Sequence, residues 1–85
     1  MNSSKGNNPE LWEKLLGVLD EKLQLGLLDQ LRRVTSYHFE EDVLYLEPAN
    51  AESERYLLKD GVFQQLQILA QDAIGVEKIK ISKKP

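Results

Sequence analysis

The stretch AESERYLLKDGVFQQLQILAQDAI, from Ala51 to Ile74, is the longest part of the chain that fits a single element. Its apolar residues recur at spacings of three and four, the period of one buried face on an α-helix. They are Leu57, Leu58, Phe63, Leu66, Leu69, Ala70, Ala73 and Ile74. Asn50 is suited to cap the start and Gly75 to end the helix in a left-handed conformation. We expect a kink or a split near Lys59–Gly61, because glycine is a poor helix former.

Two further helices are predicted on the N-terminal side of this stretch. The first runs from Pro9 to about Leu25, with Asn8 as its cap, because proline is well tolerated in the first turn of a helix. Its apolar stripe comprises Trp12, Leu15, Leu16, Leu19 and Leu23. Gly26 then offers a break, and Leu27–Arg33 is predicted as a short second helix.

Three strands complete the pattern. Thr35–Phe39 and Val43–Glu47 indicate a hairpin joined by an acidic turn, and Val76–Ser82 alternates like a half-buried strand. The order α-α-β-β-α-β predicts an α+β fold with a three-stranded sheet covered on one face by helices. This order is similar to that of KH-type RNA-binding folds, whose G-x-x-G loop is missing here.

Length and composition predict one small domain. The chain has 85 residues, of which 41% are hydrophobic and 29% charged, and it has no cysteine. We expect a flexible polar lead over 1–8, a folded domain over 9–82 and a basic tail over 83–85. Since no apolar run approaches the roughly 20 residues of a membrane span, we expect no membrane association. The absence of cysteine fits a cytoplasmic protein.

The charge balance bears on nucleic-acid binding. The formal net charge is −3, whereas neutralising phosphates requires a basic surface. The local basic residues are Lys78, Lys80, Lys83 and Lys84. Together with Arg32 or Arg33 they leave weak nucleic-acid binding as an alternative function.

Catalytic chemistry is not indicated. His38 is the one histidine, and no base or nucleophile lies near it in sequence. The acidic turn Glu40–Asp42 is typical of a solvated loop, and no glycine-rich phosphate loop is present. We therefore expect neither enzyme activity, nor a metal, nor a cofactor.

Protein binding is the remaining class, and several side chains are candidates for partner contact. They are Trp12, Leu25, Leu27, Leu28, Tyr56, Arg32 and Arg33. Trp12 is open to two interpretations, a plug in the core or an anchor at an interface. Tyr56 lies off the main stripe of its helix, and the two arginines would steer an acidic partner.

The element order also resembles two modules of bacterial DNA replication. One is the C-terminal domain of the clamp-loader subunit tau of DNA polymerase III, and the other is the N-terminal domain of the initiator DnaA. The matching residues are Leu11–Trp12, a V-T-x-Y run at Val34–Tyr37, the D-x-L-x-L run from Asp42, Asn50, and Tyr56–Leu57. The second helix has Leu28 and Leu31 where the initiator family usually carries aromatic residues.

Each resemblance implies a partner. The tau-like interpretation, which the Leu-rich second helix favours, implies a module that grips the replicative polymerase subunit. The DnaA-like alternative implies self-association through the Trp12 face and recruitment of other replication proteins.

Overall fold

The structure is a computed structural model that describes residues 6–81. The described residues form four helices and three strands in the order α-α-β-β-α-α-β, an α+β fold as predicted. The elements are α1 (Pro9–Glu21), α2 (Leu25–Arg33), β1 (Ser36–Glu40), β2 (Val43–Glu47), α3 (Ala51–Leu58), α4 (Asp60–Ile74) and β3 (Lys78–Ile81). Most of the expected lead over 1–8 and all of the basic tail over 83–85 lie outside the described residues.

Helix α1 begins where the sequence predicts and ends earlier. The Asn8 side chain accepts a hydrogen bond from the Leu11 N–H at 3.2 Å, which satisfies a free donor of the first turn. The helix stops at Glu21, and Leu23 adopts a left-handed φ of 58°. The predicted break at Gly26 is therefore wrong, since Gly26 lies inside α2.

The stretch from Ala51 to Ile74 forms two helices, divided at the position where we expected a kink or a split. Lys59 ends α3 and precedes α4 with an extended ψ of 138°. Asn50 caps α3 by accepting from the Ser53 N–H at 2.8 Å. Gly75 closes α4 with φ 74°, as predicted, in a conformation that glycine adopts without steric cost.

The sheet has the strand order β1-β2-β3, so β2 lies at its centre. Strands β1 and β2 pair antiparallel with Phe39 opposite Leu44, and β2 and β3 pair parallel with Leu44 opposite Ile79. Strand β1 is shifted by one residue from its predicted bounds. Strand β3 is shorter than predicted at its start, and the predicted end at Ser82 lies outside the described residues.

The core lies between the sheet and the helices. Its fully buried leucines come from α1, α2, β2, α3 and α4, so nearly every element contributes to one cluster. They are Leu15, Leu19, Leu31, Leu44, Leu46, Leu57 and Leu66. Two leucines that the helical periodicity places on buried stripes are exposed instead. Leu23 is exposed because α1 ends before it, and Leu58 is exposed because the last turn of α3 directs it outward. Leu23 is 77% exposed and Leu58 is 48% exposed.

The described chain makes contacts with the sheet before α1 begins. The Asn7 side-chain amide donates to the Phe39 carbonyl at 2.7 Å and accepts from the Phe39 N–H at 2.8 Å. Gly6 lies against the Tyr37 ring so closely that a Cβ on Gly6 would collide with it. Among the described residues, contacts with the sheet therefore extend to Gly6 and Asn7, on the N-terminal side of Pro9.

Candidate functional site

The corner between α1 and α2 places an apolar side chain in solvent. The Leu23 N–H donates to the Asp20 carbonyl at 3.1 Å and the Gln24 N–H to the Leu19 carbonyl at 2.8 Å. This pair of bonds is the Schellman pattern of a helix end, in which the left-handed position is usually glycine. Here Leu23 occupies it with φ 58°. The corner thus holds an exposed leucine in a backbone conformation that leucine rarely adopts.

Helix α2 begins directly after this corner and packs against α3 through a glycine. A Cβ built on Gly26 would lie 2.8 Å from the Tyr56 hydroxyl oxygen, so the missing side chain makes room for the phenol. Tyr56 is half-buried there, and the Lys59 Nζ lies 5.8 Å from the centroid of its ring. The flanking Leu25 is 55% exposed. We call the surface formed by Leu23, Leu25, Gly26, Tyr56 and Lys59 the α2–α3 surface.

Both predicted arginines lie on the last turn of α2 and are exposed. Arg33 Nε contacts Asp29 Oδ2 at 3.0 Å, and both side chains are more than half exposed. An exposed pair at this helical spacing contributes only about 0.3–0.5 kcal/mol, so the Arg33–Asp29 contact adds little to the stability of the domain. Leu25, Asp29 and Arg33 follow one another at intervals of four, so they share one outward face of the helix.

Three of the predicted contact residues lie in the core. Trp12 is 4% exposed, and Leu27 and Leu28 are 4% and 7% exposed. The Trp12 ring stacks on Tyr37, which accounts for its burial and matches the core interpretation. These three side chains therefore offer almost no surface to a partner in this structure. Leu25, Tyr56, Arg32 and Arg33 remain candidates.

Sequence reasoning missed three exposed apolar residues, Leu23, Leu58 and Ile68. The periodicity places Leu23 on the stripe of α1, because it cannot show where a helix stops. Ile68 lies on α4 and is 52% exposed. The residue types that usually mark a helix end, glycine and asparagine, are absent at position 23, so the sequence carries no signal that α1 stops before Leu23.

The basic residues considered for nucleic-acid binding are distributed over different elements. Lys78 and Lys80 lie exposed on β3, on the sheet face that carries Tyr45. Arg32 and Arg33 end α2, which packs against α1 and α3. Lys83 and Lys84 lie outside the described residues.

The exposed sheet face also carries His38. Its Nε2 lies 3.4 Å from Glu40 Oε1, and its ring centroid lies 5.9 Å from that of Tyr45. Within residues 6–81, no three His, Cys, Asp or Glu side chains converge as a metal site would require. Among the same residues, no helix is both long enough and apolar enough to cross a membrane.

Comparisons with protein-family models, with curated proteins and with solved structures find no match to this chain. A functional proposal therefore rests on the fold and on the α2–α3 surface.

Proposed function

We propose that this chain is a non-catalytic protein–protein interaction domain of the bacterial DNA replication machinery. In this proposal the α2–α3 surface docks on the replicative polymerase subunit, in the manner implied by the resemblance to the tau C-terminal domain. The single observation that carries the docking role is the exposure of Leu23 and Leu25, 77% and 55%, two positions apart at the corner between α1 and α2.

Energetics support a docking role for this corner. A left-handed conformation costs a residue with a side chain roughly 1–2 kcal/mol, and an exposed leucine recovers none of it by burial. Single exposed leucines are common on protein surfaces, whereas Leu23 and Leu25 are exposed two positions apart and, with half-buried Tyr56, supply the apolar side chains of the proposed patch. Burying that patch against a partner would gain the apolar contact that the isolated domain lacks.

Charge supports the choice of partner chemistry. Lys59 lies over the Tyr56 ring at one side of the patch, and Arg32 and Arg33 lie at the far end of α2. Basic side chains around an apolar centre steer a partner whose contact surface is acidic at its rim. We therefore expect the polymerase subunit to present an apolar pocket with neighbouring carboxylates.

The DnaA-like alternative, with self-association through the Trp12 face, has less support. Trp12 is 4% exposed and stacked within the domain, so that face presents no free indole. A cytoplasmic location accompanies the replication proposal.

The test is binding of the full chain to the replicative polymerase catalytic subunit of the same bacterium, measured by calorimetry. We expect Leu25→Asp to weaken binding at least about tenfold, because it places a charge in an apolar contact. Ile68→Asp is the matched control, since Ile68 is 52% exposed on α4. Absence of binding by the wild-type chain, or equal losses for both variants, would refute the proposed surface.

A further inference from the structure

The face of the sheet that points away from the core carries opposite charges on its two outer strands. Two rows of side chains cross this face from β1 through β2 to β3. The first row is Glu40, Val43 and Lys78, and the second row is His38, Tyr45 and Lys80. These side chains are exposed or half-buried, so none of the described helices covers the face.

The charged groups of this face extend into solvent around an apolar centre. The Glu40 side chain is 65% exposed, and its Oε1 lies 3.4 Å from the His38 Nε2. Lys78 and Lys80 are exposed, and within residues 6–81 neither ammonium forms an ion pair. Between the two signs of charge lie the half-buried side chains of β2. An apolar centre with a polar rim is the usual arrangement of a protein–protein interface.

The charge pattern of this face is complementary to itself. A two-fold axis parallel to β2, midway between two stacked sheets, places β1 of one copy over β3 of the other. Each Glu40 then lies opposite Lys78 of the second copy, and this pair occurs twice in the dimer. Val43 and Tyr45 meet their own counterparts near the axis, and Lys80 lies opposite the His38 ring of the second copy.

Glu47 is the acidic residue of this face that the two-fold axis does not pair with a lysine. It lies at the end of β2, and its Oε1 accepts a hydrogen bond from the Ser36 Oγ of β1 at 2.9 Å. This bond holds the carboxylate on the β1 side of the axis. Because stacked sheets cross at an angle of about 30°, facing strands diverge towards their ends. The two Glu47 carboxylates of a dimer are therefore kept apart.

Nucleic acid fits this face less well than a second copy does. The lysines would attract phosphates, but Glu40 and Glu47 on the same face would repel them, and the formal net charge of the chain is −3. A second copy supplies both the carboxylates that the lysines lack and the lysines that the carboxylates lack.

We propose that the outer face of the sheet is a self-association surface, and that its occupant is a second copy of this chain related by a two-fold axis parallel to β2. Strands about 4.8 Å apart that rise about 3.3 Å per residue give this small sheet a face of only a few hundred Å². Since a standard stable interface buries about 800 Å² per partner, the dimer is weak and forms at about 0.1–1 mM protein. The face is separate from the α2–α3 surface, so it can fail independently of the function proposed above.

Charge reversal across the symmetric pair tests this arrangement in the full chain. Sedimentation equilibrium of the wild-type chain should show a mean mass that rises towards twice the monomer mass over about 0.1–1 mM. Glu40→Lys and Lys78→Glu should each weaken self-association at least about tenfold, because each places like charges opposite one another twice per dimer. An equimolar mixture of the two variants should recover it, since every like-charge contact between them becomes a pair of opposite charges.

Two control variants make the same charge changes elsewhere. Glu13→Lys and Lys14→Glu alter exposed residues of α1, so they should leave self-association unchanged. Recovery on mixing separates the proposed contact from damage to the fold, because an unfolded variant would not regain association by meeting another.

Several outcomes would overturn this surface. One is a wild-type chain that remains monomeric at about 1 mM. Others are a mixture no more associated than its components, or control variants that weaken association as much as the charge reversals do. A monomeric wild-type chain whose Tyr45 amide resonance shifts when oligothymidylate is added would assign the face to nucleic acid instead.

Discussion

The indole ring of Trp12 lies parallel to the phenol ring of Tyr37, with 4.2 Å between centroids and 6° between planes. This contact joins the first turn of α1 to the outer strand of the sheet, and both rings are 4% exposed. Stacked aromatic pairs contribute about 0.5–1.5 kcal/mol beyond the burial of their area. The pair is therefore a principal link between the helical layer and β1.

Trp12→Ala should destabilise the domain by about 3–5 kcal/mol, the usual cost of truncating a buried aromatic side chain. Urea unfolding followed by circular dichroism measures the change in unfolding free energy. The exposed Leu25→Ala serves as the control and should change stability by less than about 0.5 kcal/mol. A loss below about 1 kcal/mol for Trp12→Ala would show that the indole is not packed as described.

Tyr37→Phe should leave the stack intact and increase stability by about 1 kcal/mol. The Tyr37 hydroxyl is buried and has no hydrogen-bond partner within residues 6–81, and an unsatisfied buried group costs about 1–3 kcal/mol. Removing that oxygen removes the cost while the ring keeps its contact with Trp12. The fluorescence of Trp12, the single tryptophan of the chain, reports the urea midpoint. A destabilised variant would mean that the hydroxyl is satisfied in solution.

Leu23→Gly should stabilise the domain by about 1 kcal/mol, because glycine adopts the left-handed conformation without the steric cost of a Cβ. Leu23→Ala keeps that cost and should be nearly neutral, since the side chain is 77% exposed. Gly75→Ala places a Cβ on a residue with a left-handed φ of 74°, so it should lower the free energy of unfolding by a similar amount. Thermal unfolding compares the three variants. Equal midpoints for Leu23→Gly and Leu23→Ala would contradict the φ assigned to Leu23.

Gly17→Ala and Gly26→Ala should differ, although both glycines lie inside helices. A Cβ on Gly17 meets no atom within 4 Å. Alanine should therefore raise the free energy of unfolding by about 1 kcal/mol through helix propensity alone. A Cβ on Gly26 would lie 2.8 Å from the Tyr56 hydroxyl oxygen, so the ring must move and the gain should shrink or vanish. Chemical denaturation of the two variants measures the difference. An equal gain at both sites would indicate that Tyr56 does not pack across α2.

Local signals in the sequence were enough to predict the caps and the central hairpin. Asn8, Asn50 and Gly75 each act where their side chains or backbone freedom suit a helix end. Strand β2 has its predicted bounds, because alternation and Pro48 both mark them. These features depend on neighbours within a few residues.

The features that sequence reasoning missed depend on tertiary packing. Leu23 ends α1 in a conformation that its residue type disfavours, so no local signal marks the break. The α2–α3 surface forms because Gly26 and Tyr56, distant in sequence, come together. The contact of Asn7 with Phe39 likewise spans 32 positions, beyond the reach of any periodicity.

The parallel pairing of β2 with β3 affects how the chain is made in the cell. Translation delivers β2 early, and its second neighbour arrives only with the residues from Lys78 to Ile81. Until those residues leave the ribosome, one flank of β2 remains unpaired and Leu44 lacks Ile79 beside it. A nascent chain paused before that point is therefore exposed to mispairing, because the parallel partner of β2 has not yet emerged.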